Sequence, residues 1–403
     1  MSQKGLTGFF ENFLKADTLF QEKKVLQTAY TPEIILHREE QIKQIADILA
    51  PAIKMDKPSN IFIYGKSGTG KTVSTKFITE EILKVAAQNS IPLKVAYVNC
   101  KLKRVADTEY RLIAQIASEF GPALPPTGLP TDEIYKLFFQ RIDSKRQLVI
   151  LVLDEIDQLV KKAGDEILYN LTRINEELKQ SQLSIIGLSN DLVFIDNIDP
   201  RVKSSLSEEE ILFSPYNALQ LQDILKQRAI KAFKPGVLEE GVIEKCAAYA
   251  AREHGDARRA LELLRVSGEF AERNGFPKVS MDSIDLAEDQ IERDRITGIL
   301  TTQPKQVQAT MHSIFVIARQ KKAKSIFTGE IYELYKTTCQ RIGLRPLTQR
   351  RLSDIIGELE MQGIINARII SKGRYGRTRE ITVGIPASSL PKLQLQLEEA
   401  LDL

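Results

Sequence analysis

The chain has 403 residues, of which 43% are hydrophobic and 27% are charged, and its formal net charge is +3. A chain of this length is too long for one ordinary hydrophobic core, so two or three domains are predicted. The small net charge does not by itself indicate nucleic-acid binding. No apolar run approaches the ~18 residues of a membrane span, and the N-terminus lacks a secretory pattern, so we expect a cytoplasmic protein with no membrane partner.

The chain begins with a segment of mixed Phe, Leu and Lys, residues 1 to about 30, which is predicted to be an N-terminal arm. Apolar positions then recur at helical spacing between Arg38 and Ile53, and this period predicts a helix. The run from Asn60 to Tyr64 is short and apolar, as in a buried strand. The helix therefore leads into the first strand of the fold.

A complete phosphate-binding loop follows this strand and precedes a helical run. The loop and the first residue of that run are Gly65, Lys66, Ser67, Gly68, Thr69, Gly70, Lys71, Thr72 and Val73. Three glycines let successive N–H groups converge on phosphate oxygens, and the helix N-terminus adds further donors. Lys71 is predicted to contact the β and γ phosphates, and the Thr72 hydroxyl to ligate Mg²⁺. The sequence therefore predicts that a nucleoside triphosphate binds here.

Apolar strands and helical segments alternate after the loop. The predicted strands are 95–98, 148–153 and 183–188, and the predicted helices lie near 108–119, 131–143 and 164–179. Nearly continuous apolar runs suit a parallel sheet buried on both faces, and the alternation predicts a doubly wound α/β domain. Strand patterns stop after about Leu219, and periodic helices continue to about Arg293, which predicts a small all-helical second domain.

Two acids, Asp154 and Glu155, end the strand 148–153 in a Walker B pattern. An acid at the end of a buried strand can hold Mg²⁺, so Asp154 is predicted to be the metal ligand beside Thr72. Glu155 is predicted to polarise the attacking water as general base. The alternative is that the two acids cap the helix that Ile156 could begin.

Two further polar residues are predicted to face the nucleotide. Asn190 lies just past the strand that ends at Leu188, where its amide could bridge the γ phosphate and the attacking water; alternatively it stabilises a turn with Asp191. Arg258 lies in the segment 255–261, where a helix begins after a glycine, and could reach the nucleotide from the helical domain. The alternative for Arg258 is an ordinary surface charge.

The last part of the chain has the pattern of a winged helix. Residues Ile296 to Pro304 are polar, are predicted to be short-helical at most, and form a joint before a third domain that begins near Gln306. Three helical patterns follow at 306–319, 327–342 and 348–362, and then come two strands, 364–370 and 378–383, around a turn at 371–377. Three helices followed by a hairpin predict a winged-helix fold.

Basic residues concentrate where a winged helix contacts DNA. The predicted contacts are Thr348, Gln349, Arg350 and Arg351 at the start of the third helix, and Lys372, Arg374, Tyr375, Arg377 and Arg379 in the wing. N-terminal residues of a recognition helix reach base edges in the major groove, whereas wing contacts mainly set affinity and salt dependence. The alternative is a solvated charged hairpin. Fold, glycine placement and charge agree, so DNA binding is predicted.

Taken in order, these motifs closely resemble archaeal replication initiators of the origin recognition complex subunit 1 and cell division control protein 6 family, which are AAA+ ATPases. The segments that carry the resemblance are Tyr30–Pro32, Leu36–Glu39, Gly65–Thr72, Leu153–Asp157, Leu188–Asn190, Asp199–Leu206, Phe213–Tyr216 and Gly255–Arg258. The resemblance covers nearly the whole chain. It implies an α/β AAA+ domain over 1–218, a helical lid over 219–300 and a winged helix over 301–403.

The resemblance also implies roles for particular residues. Asn190 and Arg258 match the sensor 1 and sensor 2 positions, and the nucleotide site, with ATP or ADP and Mg²⁺ as cofactors, includes Val73, Tyr216 and Arg228. An initiator-specific element matches the stretch 125–130, so Thr127, Gly128 and Leu129 are predicted to contact DNA. Some relatives place an arginine that acts on a neighbouring subunit where this chain has Ser204 and Ser205, and Arg201 is the nearest candidate.

The predicted function is that of an ATP-dependent initiator and weak ATPase. It would bind double-stranded origin DNA, lie beside paralogous initiators on adjacent DNA sites in the nucleoid, and help recruit or load the replicative minichromosome maintenance (MCM) helicase, with slow hydrolysis as a switch. Two alternatives stay open. One is a DNA-stimulated motor or clamp-loader-type ATPase, and the other is a winged-helix transcription regulator with a vestigial ATPase site.

Overall fold

A computed structural model describes residues 17–28, 30–101, 108–125, 128–321, 325–371, 377–385 and 390–403, with backbone alone at 369, 371 and 377. The chain divides into two compact units, Met1–Ile284 and Asp285–Leu403. Among the described residues, no helix combines the length and the apolar character that crossing a bilayer requires.

The first unit is built on a five-stranded parallel sheet with the order β2-β3-β4-β1-β5. The strands are β1 (Ile61–Tyr64), β2 (Leu93–Asn99), β3 (Leu148–Asp154), β4 (Gln182–Ser189) and β5 (Glu209–Leu212). Every residue of β3 is buried, which explains its continuous apolar run. β5 is not predicted from the sequence, because it is an edge strand in which Ile211 alone is buried and polar residues precede it.

Helices cover both faces of this sheet. They are α1 (Glu39–Leu49), α2 (Lys71–Gln88), α3 (Glu109–Ser118), α4 (Thr131–Ile142), α5 (Ile156–Ala163), α6 (Glu166–Arg173) and α7 (Pro200–Leu206). Along β3, Val149 and Leu151 join one core cluster, and Ile150 joins the cluster on the opposite face. The predicted doubly wound α/β domain is therefore confirmed. The predicted helix 164–179 is wrong in extent, since α6 ends at Arg173 and a short 3₁₀ turn, Ile174–Glu176, follows it.

A small helical subdomain follows β5 within the same unit. Its helices are α8 (Ala218–Ala232), α9 (Val242–Arg252) and α10 (Ala257–Arg273). The N-terminal segment packs against it: Phe20 stacks on Phe233 with ring centroids 4.6 Å apart, and Val25 and Leu26 are buried. The buried side chains Leu19, Phe20, Val25 and Leu26 thus contribute to the core of this subdomain.

The second unit combines helices with a three-stranded antiparallel sheet. Its elements are α12 (Lys305–Gln320), β6 (Ile326–Phe327), α13 (Thr328–Arg341), α14 (Gln349–Met361), β7 (Ile365–Ser371), β8 (Arg377–Val383) and α15 (Leu390–Leu401), with sheet order β6-β8-β7. The predicted three helices and hairpin are confirmed. Neither β6, only two residues long, nor α15 is predicted from the sequence.

The predicted polar joint between Ile296 and Pro304 is wrong. A helix, α11, runs without a break from Met281 to Thr302. Ile296 and Leu300, one helical turn apart, are buried in the core of the second unit. Two apolar positions at this spacing are enough to pack a helix, although the polar residues around them hide the period in the sequence.

Candidate functional site: a phosphate loop and a recognition helix

The phosphate-binding loop joins β1 to α2, and its glycines lie where no side chain fits. Gly68 and Gly70 have φ of +71° and +93°, in the left-handed region that favours glycine. A Cβ at Gly70 would approach the Tyr216 hydroxyl to 2.7 Å, and a Cβ at Gly68 would overlap the Asp256 carboxylate. Lys66 and Ser67 at the tip are exposed. The loop therefore combines a fixed backbone with an accessible tip.

Lys71 links this loop to Asn190. Its ammonium donates to the carbonyl oxygens of Gly65 and Lys66 at 2.7 and 2.8 Å, and to Oδ1 of Asn190 at 2.8 Å. Burial lowers the pKa of Lys71 to about 8, because desolvation disfavours the ammonium. The amide of Asn190 faces the loop, and the N–H of Asp191 bonds to the Ser189 hydroxyl instead. This geometry favours the nucleotide-facing interpretation of Asn190 over the turn alternative.

Thr72 and Asp154 lie together at the end of β3. The Thr72 hydroxyl donates to Oδ2 of Asp154 at 3.1 Å, and the Tyr97 hydroxyl donates to the same oxygen. Burial and the neighbouring carboxylate raise the pKa of Tyr97, so it stays a donor. A hydroxyl and a carboxylate side by side match the oxygen donors that Mg²⁺ prefers. Tyr97 is not predicted as a site residue, because the sequence of β2 shows only the apolar pattern of a buried strand.

Glu155 takes a left-handed backbone conformation, with φ of +56°, directly before α5. Its side chain makes no capping hydrogen bond to this helix, which argues against the capping alternative. The carboxylate instead lies 3.5 Å from the Lys101 ammonium. It lines a cavity of about 430 Å³ together with Lys71, Asp154 and Asn190. Glu155 is therefore positioned in the same cavity as the phosphate loop.

The neighbouring Asp157 fixes the polypeptide that carries Asn190. It is buried and accepts hydrogen bonds from the Ser189 hydroxyl at 3.2 Å and from the Asn190 N–H at 3.4 Å. A buried carboxylate with several donors is rigidly held. Asp157 thus ties the end of β4 to α5. Its position three residues after Asp154 is the only sequence signal for it.

The helical subdomain contributes Arg258 to this cavity. Arg258 follows Asp256, whose carboxylate caps α10 by accepting from the N–H groups of Arg258 at 2.8 Å and Arg259 at 3.3 Å. The Ala257 N–H also donates to the Gly68 carbonyl at 3.2 Å. Arg258 lines the cavity with Lys71 and Glu155. It is exposed, yet its position beside the loop favours a nucleotide contact over an unrelated surface charge.

A second cavity, of about 160 Å³, continues from the phosphate side and is mainly apolar. It is lined by the predicted residues Val73, Tyr216 and Arg228, and by residues that sequence analysis does not assign to the site, including Tyr30, Ile35 and Leu261. Arg228 is buried, and its guanidinium lies 4.6 Å from the Tyr30 ring centroid. A mainly apolar cavity beside a phosphate loop suits a base and sugar.

The predicted recognition helix, α14, presents its first residues to solvent. Thr348 caps this helix by accepting from the Arg351 N–H at 3.4 Å, and Gln349, Arg350 and Arg351 are exposed. Arg379 is engaged within its own unit, because its guanidinium donates to the Ser353 carbonyl at 3.2 Å. It braces β8 against α14. Lys372, Arg374 and Tyr375, and the side chain of Arg377, lie outside the described residues.

The predicted DNA-contacting loop of the first unit joins α3 to α4. Thr127 lies outside the described residues. Gly128 has φ of +111° and open space around it, whereas Leu129 is half-buried against the core. Gly128 is therefore the more accessible of the two described positions.

Arg201, the candidate for action on a neighbouring subunit, is engaged within its own chain. Its guanidinium donates to both carboxylate oxygens of Asp199, at 3.0 and 2.8 Å, and lies 4.8 Å from the Tyr169 ring centroid. Hydrogen bonding to Arg201 lowers the pKa of Asp199 to about 2. Arg201 would have to exchange this bidentate contact to reach another subunit.

Three family models match the chain in succession. An AAA domain matches residues 54–195, a Cdc6 AAA+ ATPase-type lid domain matches 222–289, and a CDC6 C-terminal winged helix domain matches 299–391. These matches confirm the predicted AAA+, lid and winged-helix architecture. The predicted boundaries after residues 218 and 300 stay predictions.

Curated relatives and a solved structure agree with these models. The chain is 53% identical over 387 residues to an ORC1-type DNA replication protein of Pyrococcus abyssi, covering 95% of this chain and 91% of the relative. It is 48% identical over 394 residues to ORC1-type DNA replication protein 1 of Methanosarcina mazei, covering 98% and 94%. The structure of the Aeropyrum pernix ORC1 protein in complex with DNA matches with a TM-score of 0.83 and 42% identity, covering 94% and 97%.

Proposed function

The chain belongs to the family of ORC1-type DNA replication proteins, and from this premise we propose that it is an ATP-dependent initiator that binds double-stranded origin DNA and helps recruit or load the replicative MCM helicase. The observation that carries the proposal is the convergence of Lys71, Asp154, Glu155 and Asn190 on one cavity in a chain that also carries a winged helix. We place its action in the cytoplasm, on the nucleoid, beside paralogous initiators on adjacent DNA sites.

Each side chain of the cavity has a chemical role in this proposal. Lys71 and the N–H groups of the loop bind the β and γ phosphates of ATP. Thr72 and Asp154 would hold Mg²⁺, which would supply positive charge to neutralise the phosphates. Glu155 orients and deprotonates the attacking water, and Asn190 positions that water against the γ phosphate. The intact geometry of these residues argues against a vestigial ATPase site.

Hydrolysis is proposed to be slow and to act as a switch. The Glu155 carboxylate lies 3.5 Å from the Lys101 ammonium, and this ion pair competes with the attacking water for the carboxylate. Arg201 is bound to Asp199 and would have to give up this contact to act on a neighbouring subunit. Arg258 and Asn190 approach the loop from different elements. Loss of the γ phosphate would therefore change lid contacts and, through them, the state of the initiator.

Genome-wide footprinting tests this function directly. Wild type is compared with Lys71→Ala and with Arg374→Ala, a wing residue chosen from the sequence. Enrichment at replication origins that depends on Arg374 supports the proposal. Binding at promoters only would favour the transcription regulator, and fast continuous hydrolysis stimulated by DNA would favour the motor.

The lowered pKa of Lys71 predicts proton uptake when ATP binds above about pH 8. Phosphate oxygens favour the ammonium and raise its pKa in the complex. Below pH 8 Lys71 is protonated in both states, so no proton is taken up by this group. Above pH 8 the free lysine loses its proton, and ATP affinity falls by up to about tenfold per pH unit. Calorimetry at pH 9 in buffers of different ionisation enthalpy measures the proton count.

Lys71→Arg is the control, because arginine keeps its proton throughout this range. Equal proton counts at pH 9 for wild type and Lys71→Arg would contradict the assignment of this uptake to Lys71.

Arg350→Ala is expected to weaken binding to origin DNA and to reduce discrimination between origin and unrelated DNA. Arg350 is exposed in the first turn of α14, where a side chain can bond to a base edge worth roughly 1–3 kcal/mol of discrimination. Fluorescence anisotropy with origin and scrambled duplexes measures both effects. Lys336→Ala, a half-exposed cation of α13 paired with Glu333, is the control. An unchanged affinity ratio in Arg350→Ala would remove Arg350 from sequence readout.

A further inference from the structure

A buried arginine, Arg38, lies directly before α1 and beside the phosphate loop. Only 4% of the Arg38 surface is exposed to solvent. This burial lowers the pKa of the guanidinium. The guanidinium donates to the carbonyl oxygens of Thr69 at 2.8 Å, His37 at 2.9 Å and Ser214 at 2.5 Å. Burying a charge is costly unless it is well hydrogen-bonded. Three main-chain acceptors therefore hold Arg38 in one orientation.

Two aromatic rings pack against the same guanidinium. Its central carbon lies 3.9 Å from the Tyr216 ring centroid and 5.5 Å from that of Phe213. Cation–π contacts of this kind are strongest where water is excluded. Phe213, Ser214 and Tyr216 all belong to residues 213–217, the linker between β5 and α8. Arg38 thus joins the phosphate loop to the linker that leads into the lid.

The linker itself is closely packed between the loop and the lid. The Phe213 N–H donates to the Tyr64 carbonyl at 2.8 Å, and the Tyr216 N–H donates to the Gly255 carbonyl at 3.3 Å. A Cβ at Gly65 would lie 2.3 Å from the Phe213 carbonyl oxygen, and a Cβ at Gly255 would lie 2.3 Å from that of Tyr216. Because neither side has room for even a methyl group, a shift of the loop displaces the linker.

The geometry points to Arg38 as a positioning residue that transmits the state of the phosphate loop to the lid through the linker. The inference rests on the proposed nucleotide site and deepens it. The Thr69 carbonyl that Arg38 binds belongs to the same peptide as the Gly70 N–H, and hydrogen bonds at the two ends of a peptide strengthen one another. Because the planar guanidinium donates to the carbonyl oxygens of both Thr69 and Ser214, a movement of Thr69 also displaces Ser214. A lysine keeps the positive charge but cannot donate to both carbonyl oxygens in this planar geometry.

Hydrogen exchange of the full chain, with and without saturating ATP, tests the inference. In wild type, ATP is expected to increase the protection of amides in α8 and α10 by about tenfold, within the usual range of allosteric coupling. In Arg38→Lys this ATP-dependent gain is expected to disappear, although the variant stays folded without ATP and its ATP affinity falls by less than about tenfold. Arg173→Lys, an arginine 4.6 Å from the Tyr169 ring centroid in the same unit, is the matched control.

The outcomes separate this inference from the proposed function. Full ATP-dependent protection of the lid in Arg38→Lys would overturn the inference, and so would a wild type that binds ATP without protecting the lid. A wild type that does not bind ATP contradicts the proposed function itself. Arg38→Gln, which is uncharged and shorter, serves as a second variant. Unfolding of both variants, or complete loss of ATP binding in both, would assign Arg38 to local structure and also overturn the inference.

Discussion

Replacement of Lys71 by alanine is expected to weaken ATP binding by at least about 100-fold. The ammonium lies inside the loop, where it bonds to the Gly65 and Lys66 carbonyls and to Asn190. Two charge-assisted hydrogen bonds to phosphate would be lost, each worth roughly 1.5–3 kcal/mol, and about 1.4 kcal/mol corresponds to a factor of ten in affinity. Calorimetric titration with ATP and Mg²⁺ measures the change.

Lys84→Ala is the matched control for this measurement. Lys84 lies on the same helix, α2, is exposed, and pairs with Glu81 at 2.6 Å. Such an exposed pair contributes little to stability, so this variant is expected to bind ATP as wild type does. A change of about threefold in ATP affinity is smaller than the loss of one charge-assisted hydrogen bond would cause. If Lys71→Ala bound ATP within about threefold of wild type, the loop would therefore not be the triphosphate site.

Replacement of Glu155 by glutamine is expected to slow ATP hydrolysis by roughly 10²–10⁴-fold, the usual contribution of a general base, while ATP binding is kept. Glutamine has nearly the shape of glutamate but cannot take a proton from water. Glu155 lines the cavity without bonding to the loop lysine, so its replacement leaves the phosphate contacts in place. Single-turnover hydrolysis together with equilibrium ATP binding separates the two effects.

Glu166→Gln provides the comparison, because Glu166 is an exposed acid in the first turn of α6. It is expected to hydrolyse ATP at the wild-type rate. A general base contributes far more than a factor of about three to the rate. If Glu155→Gln hydrolysed ATP at a rate within about threefold of wild type, the general base would be another group. Loss of ATP binding in Glu155→Gln would show that the carboxylate holds the nucleotide rather than the water.

Much of the α/β domain could be predicted from the sequence because its strands are buried on both faces. The run from Leu148 to Leu153 is apolar without interruption, and each of its residues is buried. β5 lacks this signal since it lies at the sheet edge, where Glu209 and Glu210 are exposed. The last part of the helix from Met281 to Thr302, after about Arg293, escaped prediction for a related reason. Its buried positions Ile296 and Leu300 are separated by polar residues, so tertiary packing outweighs a weak local pattern.

The phosphate loop, the two acids after β3 and the family could be recognised from the sequence alone, because each depends on residue types at fixed spacings. A glycine-rich turn between a strand and a helix needs only local backbone geometry, which a few adjacent residues specify.

Which distant residues meet at that loop depends on the folded arrangement of the chain. Lys71 and Asn190 are 119 positions apart in sequence, and Arg38 contacts a linker carbonyl 176 positions away. Parallel strands bring their carboxyl ends to one edge of the sheet, and close packing then fixes which side chains have room there. A local sequence pattern does not indicate which side chains have space beside the loop. Tyr97 and Arg38 could therefore be assigned to the site only from the folded chain.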